Sequence, residues 1–181
     1  MGKNLSKSKL VKRSQKVAFY KVPSENSSEE GKFTRMEGFT KLDYSKNPEE
    51  YTRQYVDEDS KRTDIIGYSP SIAYSFDRHS GNAVLDDIVK ISENEYIGND
   101  AVREIINVDM TTKTSTEAGT ETAKGKIRQY SVSPDSDGDN TNCMVYSGKF
   151  NARDVITDCT VTSKDDWQTI ETVSYTDITG E

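Results

Sequence analysis

Histidine, cysteine and clustered carboxylates are the side chains through which this chain could do chemistry, and each set lacks a partner. His79 is the single histidine. It lies beside the turn-forming run His79-Ser80-Gly81-Asn82 and reads as an exposed turn residue, because general-base catalysis needs a positioned partner. Cys143 and Cys159 have neither CxxC spacing nor a histidine companion, so they read as small apolar or strand residues, not zinc ligands. The run Asp135-Ser136-Asp137-Gly138-Asp139-Asn140 is superficially like a calcium loop. A helix–loop–helix calcium loop wants Gly at its sixth place and a bidentate Glu at its twelfth. Here those places hold Asn140 and Tyr146, so a hairpin turn is expected, with a weak cation site as the alternative. Glu49-Glu50 and Asp165-Asp166 are adjacent, and neighbours on a strand point to opposite faces. No GxSxG, no P-loop and no GxGxxG after a strand is present. The expectation is a chain that is not an enzyme, with no catalytic, cofactor-binding or metal site.

The elements that could position such groups are built from a lean composition. Apolar residues make up 32% of the 181, against roughly 45–50% in ordinary globular chains. Mean hydropathy is -0.83. One domain fits this length, with segments that stay extended or gain order against a neighbour. The net charge of -7 is unevenly placed. Residues 1–16 hold six cations and no acid; the remaining 18 cations against 31 acids give -13 over residues 17–181. An acidic body argues against general nucleic-acid binding, which needs a basic face. The basic arm, residues 1–15, reads as a solvated tail or as a contact for an anionic partner. No secretory signal and no run of span length is seen, so synthesis in a reducing cytoplasm is expected, with no disulfide and no membrane association.

Residues 16–181 read as a single β-rich domain. Lys16–Val22 and Phe33–Tyr44 are strand candidates, and Ile72, Tyr74 and Phe76 alternate with small residues, the period of a half-buried strand. Asn82–Ile91 is the one convincing helix: Val84, Leu85, Ile88 and Val89 share a face, Asn82 can cap it, and Asp86, Asp87 and Lys90 are expected to face water. Further strands are expected within 101–112, 125–132, 143–150, 154–161 and 167–175. The intervening stretches 111–124 and 133–142 carry turn chemistry. Ser45–Arg62 (SKNPEEYTRQYVDEDSKR) stands apart, dense in charge, with Asn47-Pro48 suggesting a turn or a helix start. Its length and its Tyr and Arg content suit a contact loop, a solvated loop being the plain alternative. The residues expected to make inter-subunit contact are Glu50, Tyr51, Arg53, Gln54, Tyr55 and Val56. The fold class expected is mainly β: a two-sheet antiparallel β-sandwich with one short flanking α-helix. Such a domain leaves strand edges open, and pairing them with identical neighbours in a closed ring removes the liability.

Several short stretches carry a family likeness: Met36–Thr40 (MEGFT), Ser45–Val56, Thr63–Phe76 (TDIIGYSPSIAYSF), Asn82–Ile91, Val132–Asp139, Tyr146–Phe150 (YSGKF), Val155–Val161 and Asp165–Thr169 (DDWQT). In their order and spacing the chain resembles the tail tube (major tail) proteins of siphophages and prophages of Gram-positive bacteria, over about residues 16–176. The resemblance implies the tail-tube fold and a structural role. Subunits would form hexameric rings stacked around the tape measure protein, with tail terminator and distal tail proteins at the ends. The inner sheets of six subunits would join into one barrel, whose lumen passes DNA without specific binding. Ser45–Arg62 would match the long loop that touches the next ring, and the basic arm and C-terminal residues would lie at subunit contacts. The place of action would be the virion tail. An acidic lumen would keep a polyanion sliding. Two alternatives stay open: the inner tube of a phage-derived bacteriocin or other injection machine, and a β-sandwich binding module.

Overall fold

The computed structural model describes residues 9–26, 28–117, 119–138 and 141–175. Most of the basic arm, the Asp139-Asn140 end of the calcium-like run and the last six residues lie outside them. The strands are β1 (Lys16–Val22), β2 (Lys32–Arg35), β3 (Phe39–Ser45), β4 (Pro48–Arg53), β5 (Arg62–Tyr68), β6 (Ser71–Asp77), β7 (Val102–Glu117), β8 (Thr120–Gly138), β9 (Val145–Ala152), β10 (Thr157–Ser163) and β11 (Thr172–Tyr175). The helix α1 spans Ala83–Glu93. Asn82 caps it as expected, its side-chain oxygen accepting from the amides of Val84 and Leu85. Among the described residues no helix is long and apolar enough to cross a membrane.

Nine strands form one curled antiparallel sheet, where two separate sheets were expected. The reason is the length of β8. Its first half pairs with β10 and its second half with β9, while β7 runs along the other edge of residues 120–131. Consequently β9 and β10 lie end to end, interrupted at residues 153–156, and each carries its own extension: β6 then β3 beyond β9, and β11 beyond β10. On the far side β7 pairs with β1, and β1 with β2. The stretches 111–124 and 133–142, expected as turns, are largely strand. Threonine ladders support the first of them, with the Thr114 and Thr122 hydroxyls 2.8 Å apart. Pro134 is tolerated in the second because the register shifts there, between Pro134 and Ser136.

Alternation along β1, β7 and β8 feeds a separate core on each face of the sheet. On one face, Ala18, Tyr20, Ile105, Tyr130 and Val132 meet β6, β9 and the buried side of α1. Aromatic rings dominate it: Tyr74 lies 4.6 Å from Phe150 and Phe76 lies 5.5 Å from Tyr146, centroid to centroid. On the other face, Phe19, Ile106, Val108, Ile127 and Val161 close around Trp167. The turn that inserts Trp167 is held by the Asp165 carboxylate, which accepts from the Ser163 and Thr169 hydroxyls and from the amides of Gln168 and Thr169. Burial pushes the Asp165 carboxyl up, but those donors outweigh it and hold it down at about 2. Past that turn the chain reaches β2: the Arg35 amide donates to Gln168 O and the Ile170 amide to Phe33 O. This brings two ends of the curled sheet together.

One expectation for α1 is corrected. Asp87 does not face water. It takes both Arg103 Nε, at 2.7 Å, and Arg103 Nη2, at 3.0 Å, and the Tyr20 hydroxyl donates to it at 2.5 Å. The carboxylate therefore fixes the helix to β1 and to the start of β7. The helical period places Asp87 at the boundary of the apolar stripe, where a cross-element partner can draw it inward.

Candidate assembly interface

The stretch expected as a long contact loop is half strand. Asn47, with a positive φ of 45°, turns the chain out of β3. Its side-chain amide donates to Ser69 O, and its carbonyl accepts from the Ser69 amide. From that base, β4 and β5 run out as a two-stranded ribbon, a sheet of its own. Neither a helix start nor an irregular loop follows Pro48. Tyr51-Thr52 and Thr63-Asp64 pair instead across the turn-forming run DEDS, with the β-favouring Tyr51, Thr52 and Thr63 among them.

Cross-strand partners share a face, and this sorts the expected contact residues. Tyr51 opposes Asp64 and Arg53 opposes Arg62 on one face; Glu50 opposes Ile65 and Thr52 opposes Thr63 on the other. On the first face Arg53 Nη1 donates to the Tyr51 hydroxyl at 3.0 Å, and Arg62 pairs with Asp64 at 3.3 Å. Gln54, Tyr55 and Val56 lie between the strands at the tip, where Gln54 Nε2 donates to Glu58 O. All six are exposed. The structure therefore gathers them on one projecting element, with Glu50 turned away from Tyr51 and Arg53.

Three more apolar side chains on this ribbon escaped sequence reading. Ile65 is 57% exposed, Ile66 68% and Tyr68 59%. The available signal was the doublet Ile65-Ile66, which breaks strict alternation: the register shifts between Glu49 and Glu50, leaving Ile66 outside the pairing. Tyr44, at the end of β3, is also exposed, and its hydroxyl donates to Asn107 Oδ1 at 2.5 Å.

The groups considered for chemistry are dispersed. His79 is exposed, its Nδ1 2.8 Å from Asp77 O. Cys159 is buried in the Trp167 core, where burial pushes its thiol up to about 11, away from the thiolate needed of a nucleophile. Cys143 is half-buried. Asp135 and Asp137 lie on β8, not in a turn. Glu49 receives the Ser69 hydroxyl at the ribbon base. Asp165 serves the Trp167 turn described above, and Asp166 beside it has a positive φ of 53°. Among the described residues no group of three or more His, Cys, Asp or Glu side chains is placed to hold a metal ion.

No protein-family profile matches the chain, and no curated protein matches it.

Proposed function

We propose that this chain is a structural subunit that assembles with copies of itself into stacked hexameric rings, a tail tube of the phage type that conducts DNA past a tape measure protein. The observation that carries the reading is the ribbon. A two-stranded ribbon is marginal in water on its own, and this one projects with Tyr51, Tyr55, Val56, Ile65, Ile66 and Tyr68 uncovered. Arg53 and Arg62 stand directly opposite each other, an arrangement that costs stability while they face water. A neighbour that covers the apolar side chains and brings carboxylates to the two arginines removes both costs. The edge strand β3, hydrogen-bonded on one side to β6, offers a second surface for pairing between copies. The acidic body suits a conduit that must not hold its polyanionic cargo. The resemblance supplies the ring number, the tape measure, terminator and distal tail partners, and the virion tail as the place of action.

Negative-stain electron microscopy across a concentration series tests this. Hollow tubes of uniform diameter are expected, together with their loss in the variant Tyr51→Ala/Tyr55→Ala, which should remain folded and soluble. Aromatic anchors of this kind carry about 2 kcal/mol or more each at an interface. A wild-type protein that stays monomeric at high concentration, or tubes that form normally in the variant, would overturn the proposal.

A further inference from the structure

The ribbon's landing site can be read from charge. A groove of about 700 Å³ lies beside β3 and the start of β1. Arg13, Lys16, Arg35 and Lys41 line it, and among the described residues no acid does, which is unusual on a protein of net charge -7. Met36, Phe39 and Leu42 give it apolar surface. Among the described residues Lys41 has no acidic partner; Arg13 has none either, but donates to the carbonyls of Lys16 and Leu42. Lys16 and Arg35 are answered by Asp109 and Glu37.

The ribbon tip carries the complement. Tyr55 and the fully exposed Val56 are followed by Asp57, Glu58 and Asp59, three consecutive exposed acids with no ion-pair partner among the described residues. The tip and the groove are different surfaces of one chain. The groove borders Phe39–Leu42, at the start of β3, whereas the ribbon leaves from its end, beyond Ser45. Among the described residues, hydrogen bonds from the ribbon to the rest of the chain are confined to its base, at Asn47, Ser69 and Ser71. No hydrogen bond among the described residues ties the tip to its own body.

Building on the assembly reading above, we propose that the occupant of this groove is the ribbon tip of a second copy of the chain. Asp57–Asp59 would lie against Arg13 and Lys41, with Tyr55 and Val56 on the apolar floor. A donor tip and a separate acceptor groove make the contact head-to-tail, and a contact of that type propagates from copy to copy.

Charge reversal and re-reversal test it in the full chain. The groove variant Arg13→Glu/Lys41→Glu and the tip variant Asp57→Lys/Asp59→Lys should each raise the concentration needed for assembly by about tenfold or more, since like charges are juxtaposed. Combining all four changes in one chain should restore assembly to within about threefold of wild type, because the pairing is only inverted. Circular dichroism melts monitor folding of each variant. The milder pair Lys41→Glu and Asp59→Lys repeats the comparison without disturbing Arg13, which packs over Tyr44. If wild type assembles but the reversed variants assemble equally well, or the combination fails to rescue in both pairs, the groove is not the landing site, while the tube reading stands. If wild type never assembles, both fall.

Discussion

Removing the Asp87 carboxylate should unfold the protein far more readily than its small size suggests. Asp87 and Arg103 are 10% and 11% exposed at their side chains, so neither charge is fully met by water. Asp87→Ala would leave the guanidinium with the carbonyls of Asp100 and Val102, which it already holds at 2.9 and 2.7 Å, and with the Tyr20 hydroxyl beside it. Stranding a buried ion-pair partner costs about 3–5 kcal/mol, and the surviving carbonyl bonds place the expected loss near the lower end, about 3 kcal/mol. With a urea slope of about 2 kcal/mol per molar, the unfolding midpoint should fall by about 1.5 M. Tyr20→Phe removes one of three bonds to the carboxylate and should cost about 1 kcal/mol. Made in the Tyr20→Phe background, so that no buried hydroxyl is stranded, the double change Asp87→Leu/Arg103→Met removes both charges together and should lie within about 1 kcal/mol of that background, since a well-packed apolar pair often replaces a buried ion pair without loss. Urea titrations followed by tryptophan fluorescence report through Trp167, the sole tryptophan. A loss below about 1 kcal/mol for Asp87→Ala, or a double variant as unstable as the single one, would show that the pair does not hold the helix in the way argued.

Two further outcomes follow from local geometry. A Cβ added at Gly148 would lie 2.4 Å from Ser133 O and 2.5 Å from the Tyr74 hydroxyl, so Gly148→Ala should destabilise by about 1–3 kcal/mol in the same urea assay. Asp109, held down at about 2 chiefly by Lys16 and Thr111, and Asp165, also near 2, both have folded values below the ordinary 3.8. The folded state thus binds fewer protons, so their contribution is complete above about pH 4 and fades as pH falls toward 2. Asp109→Asn and Asp165→Asn should each flatten that acid limb in melts recorded between those values.

The helix and its cap were legible in the chain because both are local: Asn82 needs only the amides two and three residues on, and the apolar face repeats within three turns. The alternation of Ile72, Tyr74 and Phe76 likewise announced a half-buried strand. The ribbon residues Tyr51, Arg53 and Tyr55 were marked by composition alone, since aromatic and arginine groups in a segment with no core to enter suit a contact. What composition could not give was pairing. Whether Tyr51 and Glu50 share a face depends on the register of β4 against β5, and whether two sheets or one form depends on β8 pairing with β9 along half its length and β10 along the rest. Asp87 looked like a surface residue because its partner Arg103 is 16 positions away and reaches it only once β7 is laid under the helix. The groove beside β3 is assembled from Arg13, Arg35 and Lys41, unremarkable singly and meaningful only when the curl of the sheet sets them side by side. Local propensity and periodicity are written residue by residue, whereas burial, partner charge and open edges are properties of chain segments brought together by the fold.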